Sequence, residues 1–237
     1  KVTVTIKGHE DSVTYDGNPH SVEGYEVTNI SNKLYKENDI GFTGEAKAEG
    51  TKAGTYQMNL TAQQFSNISQ NFTNVEFVVE DGSLTIKPKS ITPDGPDTPE
   101  EKKTGITVTD PEGSKYDGEE HKNKPTVTDT KTDKVLVEGT DYTLAYSDDV
   151  TNAGTVTVTV TGIGNYKGSF EVTYEITKRN VTLTSGSASK VYDKKALTKD
   201  EVTVSGDGFA KNEGATYNVT GSRTKVGTSD NTFTYEL

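Results

Sequence analysis

Apolar and polar residues alternate along much of this chain. Val2, Val4 and Ile6 fall on one side of an extended segment, and threonine occupies the positions between them. The same period of two returns at 156–160, where valine alternates with threonine. Alternate side chains of a strand share a face, so the pattern predicts strands with one buried face.

The strand pattern is organised as three copies of one plan. Each copy contains a Tyr-Asp pair that follows an alternating segment, and each has a Gly-Thr signal at nearly the same distance downstream. Self-similarity of this kind indicates a tandem array of small units. The structural motif that we predict from it consists of Tyr15, Asp16, Gly17, Gly54, Tyr116, Asp117, Gly118, Gly154, Tyr192, Asp193 and Gly227.

The Tyr-Asp-Gly sequence has a structural explanation. Asp-Gly is a turn dipeptide, because aspartate accepts hydrogen bonds from nearby backbone N–H groups and glycine tolerates positive φ. The tyrosine ring can pack inward while its hydroxyl reaches a polar partner. Lys194 replaces glycine in the third copy, which predicts a different or strained turn there. His20 and His121 occupy a position that Leu197 takes in the third copy. A position that accepts histidine or leucine is expected to be a half-buried structural position rather than a metal ligand.

The copies predict the domain organisation. We expect copy one at 1–90, a Pro-rich acidic linker at 91–103, copy two at 104–178 and copy three at 179–237. The linker is expected to form a semi-extended, mobile spacer. The connection between copies two and three is short and is expected to be stiff, and copy three is expected to lack its last strand or hairpin.

The predicted fold class is mainly β, with three tandem small β domains in an elongated arrangement and little helix. Each domain is either an Ig-like sandwich or β-grasp-like, and the sequence leaves both open. Helix is expected only as one or two turns at 29–39 and 61–72. The second of these lies in the extra length of copy one and favours a helix in that domain.

Composition narrows the class of protein. Only 30% of the 237 residues are hydrophobic and mean hydropathy is -0.71, which suits thin domains with much surface. The formal net charge of -11 repels phosphate backbones, so nucleic acid is not an expected partner. Cysteine is absent, which removes disulfides, thiol catalysis and thiolate metal sites. No apolar run approaches the length of a transmembrane helix. We also expect the chain to be a monomer and a fragment of a longer protein.

Candidate chemistry is sparse. No catalytic motif or metal-ligand spacing is present, so we predict no catalytic residue, no cofactor and no enzyme activity. Clustered oxygens at 93–97, 110–113 and 147–152 lie near turns or domain junctions, and calcium would be sought there, first near the junction of copies one and two. A Lys–Asn or Lys–Asp isopeptide bond needs a buried lysine, and most lysines here lie at turns or on polar alternates. Exposed aromatic rings could bind a glycan, and the tyrosines to test are Tyr142, Tyr146 and Tyr166.

The spacing of "YDG" and "AGT", the turn "GIGNYKG" and the closing strand "GSLTIKP" resemble the MBG and YDG repeat families of bacterial extracellular proteins. The resemblance implies a Firmicutes-type extracellular protein that is either cell wall-associated or secreted, with no catalytic residues to transfer. It also implies a stalk or adhesive region whose partner is an unknown host or microbial surface protein or glycan. The alternatives are an accessory region of a large secreted hydrolase and a glycan-binding module.

Overall fold

The structure is a computed structural model that describes residues 1–237, and it is built almost wholly from short strands. The strands of residues 1–90 are β1 (Val2–Gly8), β2 (Glu10–Thr14), β3 (His20–Glu23), β4 (Tyr25–Ile30), β5 (Ile40–Phe42), β6 (Lys47–Gly50), β7 (Gly54–Gln57), β8 (Phe65–Asn67), β9 (Val75–Glu80), β10 (Ser83–Lys87) and β11 (Lys89–Ser90). Those of residues 104–178 are β12 (Ile106–Thr109), β13 (Ser114–Lys115), β14 (Thr126–Asp129), β15 (Lys134–Val135), β16 (Tyr142–Tyr146), β17 (Gly154–Gly162), β18 (Tyr166–Lys167) and β19 (Ser169–Thr177). The remainder has β20 (Val181–Ser185), β21 (Val202–Gly206), β22 (Thr216–Val219) and β23 (Phe233–Glu236).

Helix is limited to three single 3₁₀ turns, at Glu37–Asp39, Ala62–Gln64 and Glu100–Lys102. The predicted mainly β fold class is therefore confirmed. The segments 29–39 and 61–72, for which the sequence predicts one or two helical turns, each contain one of these single turns. In both segments the chain returns at once to extended backbone, at Ile40 and at Phe65. These residues begin strands β5 and β8, which pair with each other, so the turns do not extend into helices.

Copy one contains two three-stranded sheets, with strand orders β4-β1-β9 and β2-β10-β7. The first strand of the copy, β1, pairs with β9 in parallel, from Val2 opposite Val75 to Lys7 opposite Glu80. The next strand, β2, pairs with the closing strand β10, also in parallel. The two ends of the copy are therefore joined through parallel ladders.

Each sheet of copy one covers its own apolar core. The alternating residues predicted to face inward, Val2, Val4 and Ile6, are buried beside Tyr35 and Phe65. The second core consists of Ala48, Met58, Leu60, Leu84 and Ile86. Gly8 and Gly82 lie where the chain passes from one sheet to the other, and a Cβ on Gly8 would lie 2.4 Å from the Gly82 nitrogen. Only glycine fits this close approach of two backbones.

Residues 104–178 contribute a three-stranded sheet of order β12-β14-β15 and a four-stranded sheet of order β13-β19-β17-β16. As in copy one, an early strand pairs in parallel with the closing strand, here β13 with β19. Residues 179–237 form only two-stranded sheets, β20-β21 and β22-β23. Ala210 is the only buried residue among 179–237, and the expectation that this copy lacks a strand stays a prediction.

The segment after β10 differs from the expected extended spacer. Ile91 is fully buried in a core with Ile106 and Val127. The Asp94 carboxylate accepts hydrogen bonds from the backbone N–H groups of Thr104 at 2.8 Å and Gly105 at 2.6 Å. The Pro-rich segment is thus folded against the strand that follows it, because Ile91 occupies a core position and Asp94 closes the loop.

Contacts divide the chain into two compact units. The first contains Lys1–Thr109, Thr126–Ala145 and Thr159–Glu171, and the second contains Asp110–Pro125, Tyr146–Val158 and Val172–Leu237. Both units include residues of copy two, and strands β16, β17 and β19 contribute residues to both. The predicted boundaries of the three copies stay predictions.

Candidate functional site

The Tyr-Asp-Gly motif forms the same turn in copies one and two. In copy one the N–H of Asn18 donates to Asp16 Oδ1 at 2.9 Å. In copy two the N–H of Glu119 donates to Asp117 Oδ1 at 3.0 Å. Between donor and acceptor, Gly17 has φ 83° and Gly118 has φ 85°. These values lie in the left-handed region, where glycine pays no steric penalty.

The third copy makes the same turn without the glycine. The N–H of Lys195 donates to Asp193 Oδ1 at 2.9 Å, and Lys194 between them has φ 63°. Non-glycine residues rarely adopt this conformation because Cβ approaches the following carbonyl. Lys190 Nζ also lies 2.9 Å from Asp193 Oδ1, and this ion pair fixes the carboxylate that holds the turn.

The two motif histidines brace these turns. His20 Nε2 lies 2.8 Å from Asp16 Oδ1, and His121 Nε2 lies 2.9 Å from Asp117 Oδ1. The N–H of Glu119, together with the hydrogen bond from His121, holds the pKa of Asp117 below its ordinary value. The two histidines therefore have a structural role, which is to hold the turn aspartates, and this role needs no bound ligand.

The motif tyrosines differ in their surroundings. Tyr15 packs edge to face on Tyr166, with ring centroids 5.7 Å apart. The Tyr116 hydroxyl donates to the carboxylate of Glu213. In both cases the partner belongs to the copy that follows. Tyr192 of the third copy is 57% exposed.

Further hydrogen bonds join successive copies near the repeated motifs. The N–H of Ala53, in the Gly-Thr signal of copy one, donates to Asn165 Oδ1 at 2.8 Å. Within the second unit, Arg179 Nη1 of copy three donates to the carbonyl of Tyr116 of copy two at 3.2 Å. The repeated motifs therefore lie where one copy meets the next.

A buried charged cluster lies between copies one and two within the first unit. Lys89 is 5% exposed and Asp129 is 0% exposed. Lys89 Nζ lies 2.7 Å from each of the two carboxylate oxygens of Asp129. The Tyr166 hydroxyl donates to Asp129 Oδ2 at 3.1 Å.

Backbone groups complete the cluster. Asp129 Oδ1 accepts hydrogen bonds from the N–H groups of Lys131 at 3.0 Å and Thr132 at 3.3 Å. Burial, reinforced by the nearby charge of Asp129, raises the pKa of Tyr166 far above its ordinary value. The phenol therefore stays protonated and continues to donate to Asp129 over the physiological range.

Sequence reasoning missed this cluster. The signal that could have found it is that Asp129 follows Val127 at the next inward position of strand β14, where an apolar residue is expected. Lys89 stands in the same relation to buried Ile91. Each charge taken alone looks like an ordinary turn residue, and only their pairing explains why both can be buried.

The tyrosines that the sequence marked for glycan binding mostly lie in the core. Tyr142 and Tyr166 are buried in the cluster that includes Ile91 and Ile106, so neither presents a ring face to solvent. Tyr146 is half-buried, and its hydroxyl donates to the carbonyl of Asn123 at 3.2 Å. The three rings thus differ from an exposed aromatic platform.

In two of the three oxygen clusters considered for calcium, 93–97 and 147–152, an aspartate is engaged by the chain itself. Asp149 accepts hydrogen bonds from the N–H groups of Thr151 at 3.0 Å and Asn152 at 2.9 Å, and Asp94 closes its loop as described above. No three or more histidine, aspartate or glutamate side chains converge in a way that could hold a metal ion. None of the helical turns is long and apolar enough to cross a membrane.

The second unit also contains an open groove of about 1090 Å³. Its apolar lining includes Leu183, Phe209, Phe233 and Leu237. Its polar members, including Tyr116, Arg179 and Glu213, are bonded to one another or to backbone. The groove lies along the thin two-stranded sheets of copy three, where few strands cover the apolar residues.

These features define a β-rich protein of tandem small domains, with its recurring motifs at turns and copy junctions. The family model described as the MBG domain matches residues 2–88, so this part of the chain is an MBG-type repeat, as the resemblance implied. The MBG domain is a non-catalytic, β-rich repeat domain of surface proteins. No curated protein and no solved structure matches the chain.

Proposed function

We propose that this chain is a load-bearing stalk region of a bacterial cell-surface protein of the Gram-positive kind, located outside the cell and without enzyme activity. The single observation that carries the proposal is the parallel pairing of the first two strands of the MBG-type domain with its last two strands. Parallel ladders join β1 to β9 and β2 to β10. The mechanism is geometric: stable units in series hold a distal activity away from the cell surface.

Parallel pairing of terminal strands suits a domain that carries tension. Force enters copy one at the start of β1 and leaves it at the end of β10. In a parallel pair these points lie at opposite ends of the ladder, so tension slides the strands along each other. Every hydrogen bond of the ladder then resists together. In an antiparallel pair pulled from adjacent ends, the bonds break one after another.

Two further features support a serial array. In copy two, β13 and the closing strand β19 are also parallel, with Ser114 opposite Ile176. The motif tyrosines Tyr15 and Tyr116 each contact the copy that follows. A stalk is favoured over a glycan-binding module because Tyr142 and Tyr166 are buried rather than displayed.

Single-molecule force spectroscopy on the full chain tests the proposal. The protein has no cysteine, so two introduced cysteines give unique attachment points. Lys1→Cys with Lys87→Cys pulls the parallel ladders in shear. Lys1→Cys with Asn32→Cys pulls β1 and β4 from adjacent ends, because Val4 lies opposite Ile30 in an antiparallel pair.

We expect the first pair of attachment points to require a several-fold higher unfolding force than the second at the same loading rate. The two variants share the handle at position 1 and differ in the position of the second handle. Equal forces, or a lower force for the 1–87 pair, would remove the mechanical argument for a stalk.

A further inference from the structure

We propose that Lys89 and Asp129 are a modification site, at which the lysine amine and the aspartate carboxyl condense into an intramolecular isopeptide bond. The bond would join the end of copy one to strand β14 of copy two. It goes beyond the stalk proposal, because it is a covalent property of the chain that can be measured without any assay of function.

The geometry brings the reacting atoms together. Equal distances of 2.7 Å from Nζ to both carboxylate oxygens place the amine on the bisector of the carboxylate. Nζ then lies about 3 Å from Cγ, within the range of a near-attack arrangement. Rotation of the carboxyl about its Cβ–Cγ bond presents the face of Cγ to the amine.

Burial supplies the chemical state that condensation needs. A charged pair removed from water is costly, and transfer of one proton from the ammonium to the carboxylate neutralises both groups. The product is a neutral amine, which is the nucleophile, beside a protonated carboxyl, which is the electrophile. Lys89 is 5% exposed, so little water is present to stabilise the charged alternative.

The neighbours of Asp129 match the needs of the two oxygens. Oδ1 receives the N–H groups of Lys131 and Thr132, which stabilise negative charge on that oxygen as the tetrahedral intermediate forms. Oδ2 receives the Tyr166 hydroxyl, which can pass a proton to the departing oxygen. Oδ1 thus becomes the amide carbonyl oxygen and Oδ2 is the leaving oxygen.

The step balances without any co-reactant. The first proton passes from the Lys89 ammonium to Oδ2. The Nζ–Cγ bond then forms, and a second proton passes from nitrogen through the Tyr166 hydroxyl to Oδ2. The Cγ–Oδ2 bond breaks and one water leaves, so the amide nitrogen keeps one hydrogen and the net charge of the pair remains zero.

Two places in the chain serve as internal comparisons. Arg179 stands three residues after Ile176, as Lys89 stands three residues after Ile86, and it donates to backbone carbonyls instead of reacting. Lys134 lies 2.8 Å from an oxygen of buried Asp141, but it is 40% exposed. Water stabilises the Lys134 ammonium, so we expect this second pair to stay ionic and only one water to be lost.

Intact-mass spectrometry of the purified, folded chain is the test. We expect a mass lower than that of the sequence by one water, and a branched proteolytic peptide that contains both Lys89 and Asp129. Lys89→Arg keeps a cation at the site and should have the full mass while retaining the circular dichroism spectrum of the wild type. Lys134→Arg is the matched control and should still lack one water. Tyr166→Phe should reduce the linked fraction.

A folded wild-type protein with the full sequence mass would overturn the proposal. So would persistence of the water loss in Lys89→Arg, because the linkage would then lie elsewhere. Neither result bears on the force measurement of the 1–87 handles, which lie outside the linked segment, so the two proposals fail independently.

Discussion

The ring of Tyr15 meets the ring of Tyr166 edge to face, with centroids 5.7 Å apart and planes at 78°. Tyr15 belongs to the turn motif of copy one, and Tyr166 begins strand β18 of copy two, within the sequence "GNYKG". The same Tyr166 donates its hydroxyl to Asp129. One aromatic contact therefore connects a repeated surface turn to the buried cluster of the neighbouring copy.

Tyr15→Ala should destabilise the protein by about 2 kcal/mol, because it removes a half-buried ring and an edge-to-face aromatic pair. Chemical denaturation followed by circular dichroism measures the change. Tyr192→Ala alters the equivalent tyrosine of copy three, which is exposed, and should change stability by less than about 0.5 kcal/mol. Equal effects of the two substitutions would contradict a packing role that depends on the following copy.

Lys194→Gly should stabilise copy three by about 1 kcal/mol, because it removes a side chain from the left-handed backbone region. The measurement is the midpoint of the unfolding transition that involves residues 179–237. Lys195→Gly is the control, since this neighbouring lysine does not have a positive φ. A loss of stability in Lys194→Gly would mean that the lysine side chain contributes more than its backbone conformation costs.

Lys89→Met should cost about 3–5 kcal/mol or more, because it removes the proposed linkage to Asp129 and leaves that carboxyl buried without its partner. Equilibrium unfolding in urea measures the loss. Lys103→Met removes a partly exposed lysine that pairs with Glu100, and we expect a change of less than about 1 kcal/mol. A loss for Lys89→Met no larger than that for Lys103→Met would show that the site tolerates an unpaired carboxyl.

Asp117→Asn should remove part of the dependence of stability on pH. The pKa of Asp117 is lowered in the folded chain, first by the N–H of Glu119 and then by His121. A lowered folded pKa contributes stability above the unfolded value of about 3.9, and that contribution is lost as pH falls through the folded pKa. The wild type should therefore exceed the variant in unfolding temperature at pH 6, and the difference should shrink by pH 3.

A constant difference between these two proteins from pH 6 to pH 3 would contradict the assignment. It would indicate that the carboxylate charge makes no contribution and that asparagine perturbs the turn in another way. Thermal unfolding scans at matched ionic strength separate the two outcomes, because the turn perturbation does not titrate in this range.

The sequence by itself determined the strands and the turns of this protein. The inward positions of Val2, Val4 and Ile6 follow from a period of two, which is a local property of extended backbone. The positive φ of Gly17 and Gly118 follows from local chemistry as well, because Asp-Gly is a favoured turn dipeptide in which glycine tolerates the left-handed region. Such features depend on residues close in the chain, so a repeated motif predicts a repeated conformation.

Only the tertiary structure decided which distant residues meet. Lys89 and Asp129 are 40 positions apart, and nothing in either segment specifies the other. The parallel pairing of β1 with β9 and the burial of Tyr142 and Tyr166 likewise depend on how the strands assemble. Alternation tells which side of a strand is apolar, but the packing of the whole unit sets which partner covers that side. A charged group such as Asp129 can be buried there only beside a group of opposite charge such as Lys89.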